Sequence, residues 1–140
     1  MKRAILAAVS CLAVAAPTLD AAAATPKKKK VVTTTKTVSG PASEAGRWGE
    51  IQVTLVVRKK TTTVGKKKTV ARRIMKVGVP VYPNHTNRSV FINEQALPYL
   101  VQETLSAQFR GNIDLISGAT DTSYAFTDSL QAALLAAKKV

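Results

Sequence analysis

The sequence of 140 residues has little of the side-chain chemistry on which most enzymes depend. It contains one cysteine and one histidine, which excludes an internal disulfide and a metal site built from several histidines. Its eight acidic residues are outnumbered by 21 lysines and arginines, and aromatic residues make up only 5% of the chain. The length permits one domain. Metal, thiol and Ser-His mechanisms are therefore poor explanations of what this protein does.

Long hydrophobic runs are also missing, because no apolar stretch after residue 24 is long enough to cross a bilayer. The first 24 residues are typical of a secretory signal: Lys2 and Arg3 precede a short apolar segment, and small residues follow at positions 22–24. We predict a cleaved signal peptide over residues 1–24. The protein is then expected to be periplasmic or extracellular and associated with the cell envelope. A membrane anchor or a lipoprotein modified at Cys11 is the alternative.

Residues 25–46 have the composition of a tether. They contain four consecutive lysines, a Thr/Val-rich stretch and Gly40-Pro41. Neither helical nor alternating periodicity is present, and the positive charge repels itself. We therefore predict a disordered basic linker over residues 25–46 and a folded domain over residues 47–140.

The net charge of +13 suggests an anionic partner. Nucleic-acid recognition normally adds a reading motif or stacking aromatic side chains, and no aromatic residue is interleaved with the lysine runs. Export would also separate the protein from intracellular nucleic acid. We expect no nucleic-acid partner, and we keep anionic cell-envelope polymers or a membrane surface as a hypothesis. The plainer interpretation is a set of solvated loops and tails.

Two strands joined by a hairpin are predicted at the start of the folded region. Apolar and polar side chains alternate over residues 51–57, as in a half-buried strand. A second strand is predicted over residues 69–79. One face of that second strand is expected to carry Ala71, Arg73, Met75, Val77 and Val79. Residues 58–68 hold six cations and Gly65, and they form either a hairpin loop or an extended end of the hairpin. Their lysines would protect an exposed strand edge.

Two helices complete the predicted domain. Residues 80–89 are rich in turn formers and predict an irregular loop. A helix is expected from Leu97, with Pro98 in its first turn and an earlier turn from Asn93 left open, to a point before Gly111. Residues 113–116 predict a short strand. The last helix has an apolar stripe formed by Phe126, Leu130, Ala133, Leu134 and Ala137. The element order predicts an α+β fold, a small antiparallel sheet with two helices.

The segment from Asp114 to Ser123 is the most informative for chemistry. It joins the predicted short strand to the start of the last helix, and it supplies four hydroxyls, from Ser117, Thr120, Thr122 and Ser123. Gly118 allows close backbone approach to a ligand. A helix start offers unpaired N–H groups and the positive end of a dipole. Together these features suit a phosphate group. The alternative is an ordinary helix cap formed by Asp121 or Thr122.

The run Asp114-Leu115-Ile116-Ser117-Gly118-Ala119-Thr120 resembles the flavinylation motif of FMN-binding domains. These domains occur in FMN-carrying subunits of sodium-pumping quinone reductases and Rnf complexes, and in small exported proteins. The resemblance extends over about residues 47–138. It implies FMN as the cofactor. It also implies a flavin transferase as partner, which uses FAD as the FMN donor and links the FMN phosphate to the hydroxyl of Thr120.

The resemblance also implies a set of cofactor-binding residues. In the motif and the helix that follows, these are Asp114, Ser117, Gly118, Ala119, Thr120, Thr122 and Ser123. Asp114 would orient the threonine hydroxyl or hold the transferase's metal ion. Arg88 and Ser89 are candidates to meet the phosphate or the flavin, because a guanidinium matches phosphate geometry. Tyr82 is a candidate to stack on the flavin. We interpret Trp48 as a cover for the end of the sheet.

The function implied by the resemblance is that of an exported flavoprotein that relays electrons through FMN to an unknown redox partner. No general base, nucleophile or substrate pocket can be assigned from the residues, so we interpret the protein as an electron carrier rather than a stand-alone enzyme. One alternative is a non-catalytic basic envelope-binding module that has the same fold but no functioning redox cofactor. Another is a flavin-dependent reductase with a small substrate of its own.

Overall fold

Residues 26–140 are described by a computed structural model, and the predicted signal peptide lies outside this range. Within it the chain forms an antiparallel sheet of four strands and two α-helices, which confirms the α+β fold class. The strands are β1 (Lys29–Ser39), β2 (Ser43–Glu44), β3 (Glu50–Val64) and β4 (Lys67–Val81). The helices are α1 (Asn87–Ala107) and α2 (Thr120–Lys139), and 3-10 turns occupy Gly46–Trp48 and Gln108–Arg110.

The central strand of the sheet is β3, which pairs with β1 along one edge and with β4 along the other. The predicted alternation holds over its first half, where Ile51, Val53, Leu55 and Val57 are fully buried and the residues between them are half-buried. Because successive side chains of a strand point to opposite faces, this pattern places one apolar face against the rest of the domain.

The core lies between this face of the sheet and the two helices. Helix α2 packs along β3, and α1 packs against β4. The predicted stripe of α2 is confirmed, since Phe126, Leu130, Ala133, Leu134 and Ala137 are all buried. Each large apolar side chain that is fully buried contributes roughly 1.5–3 kcal/mol. Neither helix of residues 26–140 is long and apolar enough to cross a membrane.

The contact between α2 and the sheet is fixed by Gly40 and Ser129. A methyl group on Gly40 would overlap the backbone carbonyl of Ser129, so only glycine allows this approach. The Ser129 hydroxyl donates to the carbonyl of Pro41 at 2.7 Å and accepts from the N–H of Val53 at 2.9 Å. These bonds set the position of α2, and therefore of its N-terminus, relative to the sheet.

The prediction of a disordered linker over residues 25–46 is wrong for most of its length. Lys29–Ser39 forms β1, whose register with β3 runs from Lys29↔Val64 to Ser39↔Thr54. Almost every β1 side chain is exposed. A strand with no buried face leaves no alternation in its sequence, because hydrophobic periodicity arises from burial. The domain therefore begins well before residue 47.

The predicted face of the second strand is confirmed for Val77 and Val79, which pack in or against the core, and wrong for Ala71, Arg73 and Met75, which are exposed. The pairs Val56↔Lys76 and Val57↔Ile74 leave Met75 as an extra residue in β4, which is a β-bulge. Beyond a bulge the faces exchange, so Ile74 is buried and Met75 is 41% exposed. The side-chain amide of Gln108 accepts from the N–H of Ile74 at 2.9 Å and donates to its carbonyl at 3.2 Å, so both backbone groups of Ile74 have a partner.

Residues 58–68 form the extended end of a hairpin rather than a loop. Both strands continue to a two-residue turn at Gly65-Lys66. Gly65 has a φ of +60°, and a glycine in the first central position is the choice of type II′ hairpin turns. This hairpin, together with β1, projects beyond the part of the sheet that the helices cover.

Helix α1 begins ten residues earlier than the predicted start at Leu97. Thr86 is its N-cap, and the Thr86 hydroxyl accepts from the N–H of Ser89 at 3.1 Å. Pro98 lies inside the helix instead of in its first turn. The proline has no N–H to donate to the carbonyl of Glu94. The cap at Thr86 therefore places Arg88 and Ser89 in the first turn of α1 rather than in a loop.

The short strand predicted over residues 113–116 is absent from the structure of residues 26–140. Ile113 and Ile116 pack against the core. Side chains, rather than a neighbouring strand, bond the backbone here: the N–H of Asp114 donates to Glu103 Oε1 at 2.9 Å, and that of Ile116 to Ser123 Oγ at 3.1 Å. The apolar pattern was caused by packing and not by sheet pairing.

Candidate functional site

The N-terminus of α2 lacks a side-chain cap. Ala119 occupies the N-cap position, and the first hydrogen bond of the helix runs from the N–H of Ser123 to the carbonyl of Ala119 at 2.9 Å. The N–H groups of Thr120, Asp121 and Thr122 precede this bond and remain free of the helical ladder. They carry the partial positive charge of the helix end. This terminus is therefore available to an anion.

The alternative of an ordinary cap is wrong at both predicted positions. Asp121 lies in the first turn of α2, after the cap. The hydroxyl of Thr122 points away from the helix end and donates to Oδ1 of Asn93 at 2.9 Å. Neither side chain occupies the position that a capping residue would take.

An open cavity of about 240 Å³ faces this helix end. Its wall is assembled from the 3-10 turn before β3, the loop before α1, the first two turns of α1 and the start of α2. The lining residues are Trp48, Pro83, Arg88, Ser89, Ile92, Asn93, Gly118, Ala119, Thr120, Asp121 and Thr122. Gly118 has a φ of +85°, and nothing lies within 4 Å of the position a Cβ would take. The backbone at Gly118 is thus directly accessible.

The structure brings six of the ten predicted site residues to this wall: Arg88, Ser89, Gly118, Ala119, Thr120 and Thr122. Arg88 is the second residue of α1, and its exposed side chain adds a positive charge beside a second helix N-terminus. Asp121 is the one carboxylate in the wall. The cavity therefore combines two helix starts and a guanidinium with a single opposing charge.

Four predicted residues lie elsewhere. Asp114 borders a separate shallow depression together with Glu103. Tyr82, which is 37% exposed, borders a groove along α1. Ser117 is exposed outside the wall, and Ser123 is fully buried with its hydroxyl bonded to the carbonyl of Ala119 at 2.9 Å. The expected stacking position of Tyr82 is therefore not part of the cavity.

The hydroxyls of the segment differ in their surroundings. Those of Thr122 and Ser123 are buried and already hydrogen-bonded. Ser117 is exposed but outside the wall. Thr120, the first residue of α2, is both exposed and in the wall. It is thus the hydroxyl of this segment that a molecule in the cavity can reach.

Five wall residues are not among the predicted site residues: Trp48, Pro83, Ile92, Asn93 and Asp121. Asn93 is buried, and it joins the two halves of the site: its amide donates to the carbonyl of Pro83 at 2.8 Å, and its Oδ1 accepts from Thr122. The sequence feature that could have identified Asn93 is its position as a polar residue on the buried face of α1. Trp48 and Ile92 supply apolar wall surface.

Trp48 is half-buried in the wall, instead of only covering the end of the sheet. The guanidinium of Arg47 lies 4.9 Å from the centre of its ring. This is a cation–π contact, which at an exposed site favours this orientation of the indole by about 0.5–1 kcal/mol. The wall therefore offers an aromatic surface as well as anion-binding amides.

The wall fits a ligand with a phosphate at one end and a flat ring system at the other. Phosphate suits the free amides at the start of α2 and the nearby Arg88. Trp48 and Ile92 suit an apolar ring. The volume lies below the range of roughly 300–1,000 Å³ for typical ligand pockets. A larger ligand would therefore be only partly enclosed.

Comparison with known proteins identifies such a ligand. Residues 46–135 match the model of a protein family described as the FMN-binding domain. The matched region includes every residue of the cavity wall. No curated protein and no solved structure matched the chain. The family match covers more than half of the sequence, so the chain belongs to the FMN-binding domain family and is a flavoprotein with FMN as its cofactor.

Proposed function

We propose that this flavoprotein carries FMN covalently, as a phosphoester on Thr120, and relays electrons outside the cytoplasmic membrane. The position of Thr120 is the observation that supports the proposed covalent link. Thr120 is an exposed residue of the cavity wall, and it is the first residue of a helix whose N-terminal amides are free of the helical ladder. A phosphoester at its hydroxyl oxygen lies beside those amides, which favour negative charge.

The linking reaction needs a flavin transferase with FAD as the donor. Thr120 Oγ forms a bond to the phosphorus on the riboflavin side, the pyrophosphate P–O bond breaks, AMP leaves and the hydroxyl proton is released. Asp114 is exposed on the segment that leads to Thr120. In this proposal it contacts the transferase, or the metal ion of the transferase, rather than the bound cofactor.

Electron relay is the part of the proposal that is supported by the FMN cofactor together with the composition of the wall. Bound FMN supplies one- and two-electron chemistry, and the protein positions and tunes it. The wall residues include no histidine or cysteine, and they contribute one guanidinium and one carboxylate. These groups are suited to holding and orienting a flavin, with Trp48 beside the ring. The proposal therefore assigns the chain the role of a carrier between a donor and an acceptor, neither of which is identified.

Export is the remaining element of the proposal. It rests on the charged, apolar and small-residue segments of positions 1–24. The flavin would then operate in the periplasm or at the cell surface, in association with the envelope. The transferase must act in the same compartment or before export.

The test is flavin fluorescence on a denaturing gel, after co-expression of the mature protein with a flavin transferase. We expect a fluorescent wild-type band that is lost in Thr120→Ala. Ser106→Ala is the matched control, because it removes an exposed hydroxyl that lies outside both the motif and the cavity wall. That variant should keep the band.

The other outcomes separate the parts of the proposal. A dark wild-type band with FMN released on denaturation would leave a non-covalent flavoprotein and contradict the phosphoester. A fluorescent Thr120→Ala band would move the link to another residue. A flavin that is loaded but cannot be reduced and reoxidised by small electron donors and acceptors would contradict the relay.

A further inference from the structure

The net positive charge of the molecule is carried by one part of the sheet. We define the basic arm as residues 27–36 and 58–73. It holds 13 of the 21 lysines and arginines and none of the eight acidic residues. Over the rest of the sequence the remaining eight cations are matched by the eight acids. The whole net charge of +13 therefore belongs to the arm.

The arm is an ordered sheet and not a tail. Its three strands pair without interruption, from Thr35↔Arg58 to Lys29↔Val64 on one edge and from Arg58↔Arg73 to Val64↔Lys67 on the other. Val57 is the last fully buried residue of β3 before it. From Val57 to Val64 the strand advances by roughly 23 Å at 3.3 Å per residue. Arg72 Nε donates to the carbonyl of Val140, the C-cap of α2, at 3.1 Å. The start of the arm thus contacts the end of α2, and its outer part continues beyond this contact.

Both faces of the arm carry cations. Residues directly opposite one another in a ladder share a face. Arg58 lies opposite Arg73, and Lys59 lies opposite Arg72, and the two pairs occupy opposite faces because they are neighbours along β3. Like charges placed directly opposite each other are unfavourable. Anions bound on either face would relieve this repulsion.

We propose that the basic arm binds a flexible linear polyanion, a polymer with repeated phosphate or carboxylate groups. A planar membrane can contact one face of the arm at a time, whereas a flexible chain can follow both. The arm contains no aromatic residue, so it lacks the stacking surfaces with which proteins hold nucleobases. Recognition is by repeated charge, with threonine hydroxyls between the cations. This binding is independent of the flavin.

The test uses the mature protein and long-chain inorganic polyphosphate, with polygalacturonate as the carboxylate polymer. Affinity is measured as a function of NaCl concentration. The arm variant is Lys66→Gln/Lys67→Gln/Lys68→Gln. The matched control is Lys76→Gln/Arg110→Gln/Lys138→Gln, which removes the same charge from exposed positions outside the arm. The two variants have identical net charge.

We expect both polymers to bind with an affinity that falls steeply with salt. Each lost contact removes about 0.7–0.9 from the slope of log K against log salt, so the arm variant should lose on the order of 100-fold in affinity at about 0.1 M salt. The control should lose less than about five-fold, since its cations lie outside the arm and act on the polymer only through a field that salt screens over a Debye length of roughly 10 Å. Thermal unfolding and covalent flavin loading should be unchanged in both.

Three results would overturn the proposal. Equal weakening in the two variants would mean that net charge, and not the arm, attracts the polymer. Tighter binding to phosphatidylglycerol vesicles than to polyphosphate at equal anion concentration would assign the arm to a membrane surface. A preference for single-stranded DNA over polyphosphate by more than about ten-fold would indicate base contacts.

Discussion

The two ends of the β3–β4 hairpin have the same backbone structure in different surroundings. At the base, the side chains of Ile51–Val57 alternate between the core and half-exposed positions, and α2 packs along them. In the basic arm the strands continue in antiparallel pairing while the side chains become mostly lysine, arginine and threonine. Strand pairing in this sheet therefore continues beyond the residues that have a buried face.

The cavity and the basic arm would also hold an anion in two different ways. At the cavity, Arg88 and Asp121 nearly balance, and an anion is held by the geometry of free amides at a helix end. On the arm there is no such built site, and an anion is held by the number of cations. The first arrangement suits one phosphate in one position, and the second suits a polymer.

Removing a large core side chain that packs at the base of the hairpin should have the largest effect on the free energy of unfolding. Phe126 is fully buried against the sheet. We expect Phe126→Ala to lower the free energy of unfolding by about 3–5 kcal/mol. In the arm, Val70 is 38% exposed, and Val70→Ala should cost less than about 1 kcal/mol. Urea unfolding followed by circular dichroism measures both. Similar costs for the two variants would break the distinction between base and arm.

A single methyl group at the contact of α2 with the sheet should come next. Gly40→Ala would push against the Ser129 backbone, and we expect a loss of about 3 kcal/mol because overpacked sites cannot relax fully. Gly78→Ala is the control, since its Cβ would meet only Thr54 O at 4.0 Å. The control should change stability by less than about 1 kcal/mol. Thermal unfolding measures both variants. Equal unfolding temperatures for the two would contradict the close packing of Gly40 against Ser129.

The buried hydroxyl that joins α2 to β3 should have a smaller effect. Ser129→Ala leaves the N–H of Val53 and the carbonyl of Pro41 without this partner, at a cost of about 1–3 kcal/mol. Ser106→Ala is the matched control, because the Ser106 hydroxyl is exposed and bonds only the carbonyl of Gln102. That variant should stay within about 0.5 kcal/mol of wild type. Equal unfolding midpoints for the two variants would contradict a stabilising role of the Ser129 hydroxyl between α2 and β3.

The smallest expected effect concerns salt and the arm. Raising NaCl from about 0.01 to 0.15 M shortens the Debye length from roughly 30 to 8 Å and screens the Arg58–Arg73 repulsion. Amide hydrogen exchange of residues 61–63 should slow by a few-fold, while that of residues 51–57 stays constant. Arg73→Thr should reduce the response, because it removes one member of a like-charged pair worth roughly 0.2–1 kcal/mol. A uniform response along β3 would contradict this difference.

The parts of the fold that could be predicted from the sequence are those in which one face of a strand or helix is buried. Residues 51–57 and the stripe from Phe126 to Ala137 have one apolar face, and both were identified. β1 was missed because all of its side chains except Val38 are exposed, so burial leaves no alternation in its sequence. Its strand structure comes from pairing with β3. The inward face of β4 was misassigned over residues 71–75 because the bulge at Met75 exchanges the two faces without a local signal.

The site was predictable where its residues are adjacent in sequence. Gly118, Ala119 and Thr120 belong to one short motif, and the structure places them together in the wall. Trp48 and Asn93 come from distant parts of the chain, and their position depends on how α1 and the 3-10 turn pack against α2. Tyr82 shows the opposite case: it is close in sequence to Pro83, a wall residue, but its side chain borders another groove.

The most direct test of the central claim is the intact mass of the mature protein after co-expression with a flavin transferase, followed by peptide mapping. We expect an increase equal to FMN less one water, located on the peptide that contains Thr120. The increase should be absent from Thr120→Ala and retained in Ser106→Ala, whose exposed hydroxyl lies outside the motif and the wall. An unmodified mass in a preparation that releases no FMN on denaturation would contradict the flavin-carrier function, and a modification located at another hydroxyl would contradict the assignment of Thr120.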